Sequence, residues 1–248
     1  MKNNKNILAL VIAVIAIIAV LWLLLKNKIN NTAFNSVGNS ATSTVISVSG
    51  SGVKLPDLDR KLVLPSEYSS IVKSKIEAGV LDSISKVKSD PNNTASWFKL
   101  ALWYKMARDY TGAEEIWRYI ISVEPDNRLA QSNLGDLYKN FLVNYEKSET
   151  AWLKVISLDP TYVDAYNELY MLYKYNMPTK KAEAPKMLLS GIEKTKSAML
   201  MYQLAEYYRT IPNKTLAIDW YVKAKVAAKA IGDNNMIKSI DEALAKLK

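Results

Sequence analysis

The segment Thr94–Asn127, TASWFKLALWYKMARDYTGAEEIWRYIISVEPDN, contains two amphipathic helical patterns separated by a short turn. In the first pattern, apolar residues recur at i, i+3, i+4 and i+7, on one face of a helix. These residues are Trp97, Leu100, Ala101 and Tyr104. After the turn at Asp109–Gly112, the second face consists of Ala113, Trp117, Ile120 and Ile121. Pro125 cannot continue this helix, so the segment is predicted to form a helix pair.

An acidic residue followed by proline recurs along the chain at a nearly fixed interval. The pairs Asp90-Pro91, Glu124-Pro125 and Asp159-Pro160 are 34 and 35 residues apart. A period of this length is typical of helical solenoids, whose repeating unit is a helix pair. One pair alone cannot bury its apolar face, so neighbouring pairs must stack. The sequence therefore predicts an all-α domain that offers a binding surface rather than an active site.

The signature residues of the first unit return in three further segments. In the first unit they read W-x2-L-A-x2-Y…A-x3-W…P, which resembles the tetratricopeptide pattern W-x2-L-G-x2-Y…A-x3-F…P. The later matches are Leu134, Gly135, Tyr138 and Trp152, then Tyr166, Leu169, Tyr173, Ala184 and Leu188, then Leu204, Ala205, Tyr208, Ala217 and Tyr221. The resemblance implies a right-handed solenoid of about four helix pairs. The alternative is a non-repeating helical bundle, but bundles lack a fixed period.

Several departures from the pattern predict local irregularities. The second unit holds one extra residue near Phe141–Asn144, and Met177-Pro178 marks a two-residue expansion of the turn in the third unit. Gln131 and Met201 stand where the other units have an aromatic residue. The fourth unit has no closing proline. We expect these departures to loosen the packing locally without changing the fold.

Both ends of a solenoid expose an apolar face that needs a cover. Residues 65–93 precede the four repeats at 94–232, and we interpret them as a leading helical segment or a degenerate repeat, that is, a helix pair broken near Gly79. Residues 233–248 are predicted to form a capping helix, in which Asp233 caps the N-terminus and one face is apolar. That face consists of Ile237, Ile240, Leu244 and Leu247.

The N-terminal region carries a long apolar run. Ile7–Leu25 contains 19 consecutive apolar residues, and at about 1.5 Å per residue this length matches the thickness of a bilayer. A cleavable signal peptide is the alternative, but its apolar region is usually shorter and ends in small residues. We therefore predict a tail and a single transmembrane helix over 1–28. A flexible tether is predicted over 29–64, because Ser, Thr, Asn and Gly dominate Asn30–Gly52 and Pro56 and Pro65 oppose a helix in the remainder.

Lysines on both sides of this span bear on its orientation. Lys2 and Lys5 precede the span, and Lys26 and Lys28 follow it, so the positive-inside comparison is nearly balanced. A short basic tail before a first apolar segment resembles bacterial signal anchors, which keep the tail inside. We expect a single-pass membrane protein with a cytoplasmic N-terminus and its soluble domain outside the cytoplasm.

The composition excludes several kinds of chemistry. The chain has no Cys and no His, which removes thiolate and imidazole nucleophiles, His general bases and the commonest zinc ligands. The adjacent carboxylates Glu114-Glu115 and Asp241-Glu242 face different directions on a helix and cannot converge on a substrate. Residues 1–64 hold seven basic and two acidic residues and so account for more than half of the chain's net charge of +9. The domain that follows is therefore only mildly basic. We expect no enzymatic activity, no cofactor, no metal and no nucleic-acid partner.

One repeat position points to a binding groove. Five residues after the signature leucine, every unit has a basic residue: Lys105, Lys139, Lys174 and Arg209. The resemblance implies that the first helix of each pair lines a concave groove and that this position faces it. Neighbouring groove positions are Phe98, Leu102, Ser132, Asp136, Asn167, Met171, Tyr202 and Glu206.

Two interpretations of the basic row are open at this point. In the first, the row binds an acidic or carboxylate-bearing peptide. Its apolar contacts are then Phe98, Leu102, Met171 and Tyr202. In the second, the row reflects only the abundance of lysine in this chain and its frequency on exposed helix faces.

These patterns together predict a membrane-anchored scaffold that binds a peptide or partner protein in the groove. The resemblance implies an accessory of a bacterial envelope or secretion assembly, without choosing among such assemblies. A translocon-associated chaperone for unfolded clients is the alternative among binding proteins. An enzyme is a remote alternative from another class.

Overall fold

The structure is a computed structural model, and it describes residues 55–211 and 213–247. Within these ranges it has ten α-helices and no strand, which confirms the all-α prediction. The predicted membrane span at Ile7–Leu25 lies outside the described residues, as does the predicted tether up to residue 54. No helix in the described ranges is long and apolar enough to cross a bilayer.

The helices follow one another with short connections. They are α1 (Ser70–Ser89), α2 (Thr94–Met106), α3 (Tyr110–Val123), α4 (Arg128–Asn140), α5 (Tyr145–Leu158), α6 (Val163–Met171), α7 (Ala184–Thr195), α8 (Ala198–Thr210), α9 (Lys214–Ala230) and α10 (Asn234–Ala245). The pairs α2–α3, α4–α5, α6–α7 and α8–α9 pack together and are called units 1 to 4. Four predicted helix pairs are therefore present, between α1 and α10.

Asn and Asp side chains define where the helices of the first two units begin. The caps of α2 to α5 are Asn93, Asp109, Asn127 and Asn144. Each cap side chain accepts a hydrogen bond from the backbone N–H three residues later, which satisfies one of the free donors of the helix end. Asn93 and Asn127 lie two residues after the proline of an acid-proline pair, so the period in the sequence marks the entry to a first helix. In unit 3 Tyr162 stands at this place and provides no side-chain cap.

The core of the units consists of large aromatic rings packed against small residues. Trp97, Tyr104, Trp117, Tyr166 and Tyr221 are almost fully buried. The predicted small positions are buried as well; they are Ala101, Ala113, Gly135 and Ala217. The two helices of unit 2 approach closely at Gly135, where a Cβ atom would lie 2.6 Å from Nε1 of Trp152. A larger residue at this position would push α4 away from α5.

Unit 3 is irregular where the sequence predicts an expanded turn. Its two helices are connected through the π-helical residues Leu172–Asn176 and the 3₁₀ segment Pro178–Glu183. Tyr170 occupies the position that holds Ala101 in unit 1 and Gly135 in unit 2, and it is 3% exposed. A buried phenol ring needs more room than a methyl group or a hydrogen atom. The π-helical turn begins two residues after Tyr170, at Leu172.

The connection inside unit 2 is one residue longer than in unit 1, as predicted. Four residues, Phe141–Asn144, separate α4 from α5, whereas three separate α2 from α3. Val143 in this connection has a positive φ of 51°, as Arg108 has in unit 1. The longer connection leaves Phe141 39% exposed.

The structure corrects the interpretation of the leading segment. It contains one unbroken helix, α1, rather than a helix pair broken near Gly79. Gly79 faces Trp103 of α2, since a Cβ atom there would lie 2.2 Å from the indole ring. The glycine therefore permits the close approach of a neighbouring helix. With Ile76, Val80 and Val87 buried, α1 covers the open side of unit 1.

The predicted tether differs from the structure over residues 55–64, which lie against unit 1. Their packed leucines are Leu55, Leu58, Leu62 and Leu64. Arg60 donates through Nε to Asp109 at 2.5 Å and through Nη2 to Thr111 at 2.5 Å. Burial acts to raise the pKa of Asp109, but the bonds from Arg60 and from the Gly112 N–H outweigh it, so this pKa lies below its ordinary value.

Helix α10 covers the other end of the solenoid. Asp233 caps it as predicted and accepts a hydrogen bond from the Met236 N–H at 2.9 Å. Ile240 is fully buried. The remaining residues of the predicted apolar face are half-buried against the core of unit 4 and are Ile237, Leu244 and Leu247.

Replacement of Trp117 should destabilise the domain strongly. Its indole is fully buried, so Trp117→Ala leaves a cavity and should lower the free energy of unfolding by about 3–5 kcal/mol. Chemical denaturation followed by far-UV circular dichroism measures this loss. The control is Tyr175→Ala, at an aromatic residue that is 62% exposed, and it should cost less than about 1 kcal/mol. Equal losses in the two variants would contradict a core role for Trp117.

Candidate functional site

The predicted groove residues lie on the side of the solenoid formed by the first helices α2, α4, α6 and α8. Side chains at these positions connect neighbouring units. Lys105 of α2 donates to Asp136 of α4 at 2.5 Å, and Lys139 of α4 pairs with Glu168 of α6. Because each contact joins one first helix to the next, these residues share one face, which we call the groove face.

The basic row on the groove face is part of a network with acidic residues. Lys105, Lys139 and Arg209 each contact a carboxylate, and Arg209 lies 2.7 Å from Glu206. The Lys139 side chain is 14% exposed, so its ion pair is partly shielded from solvent. The groove face therefore alternates in charge rather than presenting a continuous positive row.

Glu168 is the member of this network that is missing from the predicted groove residues. It precedes the signature Leu169 by one residue, whereas Asp136 follows Leu134 by two. Both carboxylates contact the basic residue of the preceding unit, 29 and 31 residues earlier in the chain. An acidic residue about one repeat after each basic position is the signal that identifies such pairs.

Lys174 differs from the other three basic residues. It lies in the π-helical turn, donates to the Tyr170 hydroxyl at 2.8 Å and lies 4.9 Å from the ring centre of Tyr175. Within 55–211 and 213–247 it has no ion pair with a carboxylate. Burial acts to lower the pKa of Lys174, but bonds to the two phenol oxygens outweigh it, so this pKa lies above its ordinary value. Lys174 therefore remains charged beside two aromatic rings.

Glu206 joins the groove face to the core of unit 4. Its carboxylate accepts hydrogen bonds from Arg209 and from the Tyr221 hydroxyl. Burial acts to raise the pKa of Glu206, but these two donors outweigh it, so the pKa lies below its ordinary value. Burial and the contact with Glu206 both raise the pKa of Tyr221. The Glu206 carboxylate is thus ionised, and its hydrogen bonds are already made to Arg209 and Tyr221.

An apolar cleft opens at the N-terminal end of the groove face. It encloses about 620 Å³ between α1, α2 and the turn after α4. Leu102, Met106 and Phe141 are 37%, 49% and 39% exposed, and Lys105 and Arg108 stand at its border. The remaining wall residues are Tyr68, Val72, Ile76 and Tyr110.

Only Leu102 and Lys105 of this cleft are among the groove residues predicted from the sequence. Tyr68 and Val72 belong to the segment around α1, which the sequence predicts only as a cover for the first repeat. Phe141 lies in the extra-residue turn of unit 2, outside the repeat register. No periodic signal marks these residues, because each departs from the repeat.

The other predicted groove residues are engaged with their own surroundings. Phe98 and Tyr202 contact aromatic rings of the paired second helix, with ring centres 6.3 and 5.7 Å apart. Met171 packs half-buried against the core. Oδ1 of Asn167 is buried without a hydrogen-bond partner among the described residues. Ser132 is buried and donates to a backbone carbonyl of its own helix.

Several solved structures are similar to this chain. The structure of MamA has a TM-score of 0.50 at 20% identity, over 67% of this chain and 99% of that chain. A thermophilic TPR protein of Thermus thermophilus has 0.47 at 15% identity, over 71% and 96% of the two chains. PilF of Pseudomonas aeruginosa has 0.49 at 16% identity, over 71% and 86%.

The likeness to MamA concerns the fold alone, because the two sequences are only 20% identical. No protein-family model matches this chain, and no characterised protein matches its sequence significantly. The stacked helix pairs with their 34-residue period, together with the likeness to MamA, confirm the prediction of a tetratricopeptide-type fold.

The ion pair between Lys139 and Glu168 should contribute to stability because solvent reaches it poorly. Lys139→Glu brings two carboxylates together and should lower the free energy of unfolding by about 1–3 kcal/mol. Combining it with Glu168→Lys restores opposite charges and should recover most of the loss. Lys194→Glu, at a solvent-exposed pair, is the control and should change stability by less than about 1 kcal/mol. A double variant as unstable as Lys139→Glu alone would contradict the pairing.

Proposed function

We propose that this protein is a scaffold that binds a segment of a partner protein. An apolar side chain of that segment enters the cleft on the groove face. The supporting observation is the exposure of Leu102, Met106 and Phe141 in one cleft of about 620 Å³. Exposed apolar side chains that gather in a concave site are typical of interaction surfaces. A solenoid also presents an extended surface suited to binding an elongated segment.

The walls of the cleft suit an aromatic or aliphatic side chain. The Lys105 ammonium lies 5.2 Å from the ring centre of Phe141, and the Arg108 guanidinium lies 5.3 Å from that of Tyr68. These cation–π contacts keep the Phe141 and Tyr68 rings in place at the walls of the cleft. The unbranched Met106 side chain adapts to the shape of a ligand. Burial of one leucine-sized side chain contributes about 1.5–3 kcal/mol. Stable binding therefore also needs contacts further along the groove face.

The charge preference of the partner is a narrower proposal. An acidic ligand at Lys105, Lys139 or Arg209 must compete with the carboxylates that these residues already contact. Lys174 has no ion pair with a carboxylate among the described residues, and its ammonium contacts phenol groups. We therefore place an acidic contact of the partner at Lys174 rather than along the whole row.

We further propose that Ile7–Leu25 anchors the scaffold in a membrane, with a cytoplasmic N-terminus and the solenoid outside the cytoplasm. The 19 apolar residues and the flanking lysines support this arrangement. Because residues 55–64 pack against unit 1, only residues 26–54 separate the span from the solenoid. Even fully extended, these residues reach no more than about 100 Å. The cleft then works close to the membrane, as expected for an accessory of a bacterial envelope or secretion assembly.

The alternative function is a chaperone that holds unfolded clients near a translocon. The exposed Met106 favours it, because methionine side chains adapt to different apolar ligands. The two functions differ in selectivity. A scaffold binds one partner stably, whereas a chaperone accepts many apolar segments.

Site-specific photo-crosslinking in cells distinguishes these functions. A photoreactive amino acid in place of Leu102 should give one discrete adduct. The same replacement at Leu153, which is similarly exposed at 43% but lies on α5, should give none. Adding Met106→Glu should remove the adduct, because it places a charge inside the apolar cleft. Many adducts from position 102 would favour the chaperone, and none from that position would contradict a binding cleft.

The proposed topology predicts where an introduced thiol is accessible. The chain has no Cys, so Ser85→Cys on the exposed side of α1 provides a single thiol. In intact spheroplasts a membrane-impermeant maleimide should label this variant, because the solenoid lies outside the cytoplasm. Asn4→Cys is the control and should be labelled only after the membrane is opened. The reverse labelling pattern would show the opposite orientation.

A further inference from the structure

A second cleft lies between units 1 and 2, away from the groove face. It encloses about 550 Å³ between α3, α4 and α5. Its floor is apolar and includes Ile121, Leu134 and Ala151. On α4 the cleft is lined by Gln131 and Leu134, three residues apart on one side of the helix, whereas Asp136 of the groove face lies on the other side. The two clefts are therefore separate surfaces.

The second cleft lies where unit 2 lacks an aromatic pair. In unit 1 Trp97 packs at a tilt against Tyr119 with ring centres 4.8 Å apart, and its indole donates to the Pro91 carbonyl at 2.8 Å. Alignment of the units places Gln131 and Lys154 at the positions of these two rings. Both residues line the cleft. The volume that two aromatic rings fill in unit 1 is thus open in unit 2.

The rim of this cleft is predominantly basic. It is lined by Arg118, Lys147 and Lys154, with Glu146 as the acidic residue. Lys147 contacts a carboxylate of α3. Lys154 pairs with Asp126 at 3.2 Å, but the Asp126 side chain is 82% exposed, so this pair contributes little. Arg118 is exposed and has no ion pair in the described part of the chain. Arg118 is therefore free to contact a carboxylate of a ligand, and Lys154 can exchange its exposed partner Asp126 for another.

We infer that this cleft is a second binding site, for a segment of a partner protein in which one large apolar side chain lies between carboxylates. The apolar floor accepts the side chain in the space of the missing aromatic pair. Arg118 binds a flanking carboxylate through its planar guanidinium, and Lys154 binds another as a point charge. A volume of about 550 Å³ accommodates a tryptophan side chain with parts of its neighbours. Because the site is separate from the groove face, the scaffold holds two segments at once.

A synthetic peptide tests the inference directly. The probe is a fluorescently labelled peptide with one tryptophan between two pairs of glutamates. It is titrated with the full-length chain in nanodiscs of zwitterionic phosphatidylcholine, and binding is followed by fluorescence anisotropy. We expect saturable binding that weakens as salt rises, because the rim charges are exposed. A matched peptide with lysines in place of the glutamates should bind at least about tenfold more weakly.

Variants of the lining residues locate the peptide. Gln131→Trp introduces the residue that unit 1 has at this position and fills the cleft, so the affinity should fall at least about tenfold. Gln131→Ala keeps the cleft open and should change the affinity less than about threefold. Arg118→Glu should lower the affinity at least about tenfold at low salt, because it places a carboxylate beside those of the peptide. Leu102→Glu alters only the other cleft and should leave the affinity unchanged.

Three results would overturn the inference. The first is no binding of the glutamate peptide by the unaltered chain, and the second is equal binding by Gln131→Trp, Arg118→Glu and the unaltered chain. The third is loss of binding in Leu102→Glu, which would assign the peptide to the groove face. Helicity of Gln131→Trp is compared with that of the unaltered chain by circular dichroism. If Gln131→Trp has lost its helicity, the peptide affinity of Arg118→Glu provides the test instead. The Arg118 side chain is exposed, so its replacement does not disturb the core.

Discussion

The close approach of the two helices in each unit is the constraint on which the rest of the structure depends. It requires a small residue on one helix opposite a large ring on the other, as where Gly135 leaves room for Trp152. The buried Ser148 hydroxyl also donates to the Gly135 carbonyl at 2.8 Å, across the same helix crossing. In unit 3 Tyr170 takes the place of the small residue, and a π-helical turn begins two residues later. The large residue at the crossing point and the irregular turn thus lie next to each other in the same unit.

Successive units are joined by a repeated contact between tyrosine and glutamate. Tyr138 donates to Glu114 of the preceding unit at 2.6 Å, and Tyr173 donates to Glu149 at the same distance. Burial, together with these bonds, raises the pKa of both tyrosines, so their hydroxyls remain protonated donors at physiological pH. Pro185 stands at the position of the glutamate in unit 3, so unit 4 cannot receive this contact. Apolar packing instead joins unit 4 to unit 3.

The sequence predicts the helix pairs, both irregular turns and the Asp233 cap, because each follows from a pattern within about one repeat. Contacts of non-repeating segments could not be predicted in this way. Arg60 meets Asp109 across 49 residues, from a stretch that is predicted as a tether because Pro56 and Pro65 oppose a helix there. Gly79 suggests a break in a helix, because its sequence context does not reveal that Trp103 packs against it. Local periodicity predicts secondary structure, whereas close approach between segments depends on the assembled fold.

On the groove face, register predicts which residues share a face but not what they contact. Lys139 and Glu168 occupy neighbouring units, and only the lateral alignment of those units brings them together. Their charges cancel within the protein, which leaves less of the face to attract a ligand by charge. In a unit that follows the repeat pattern, the large signature side chains fill the space between the helices. A cleft therefore remains where such a residue is missing or a turn is longer. Phe141, in the turn with the extra residue, lines one cleft. Gln131, which stands where unit 1 has an aromatic residue, lines the other. Departures from a repeat are therefore the positions at which to look for the individual binding properties of a solenoid protein.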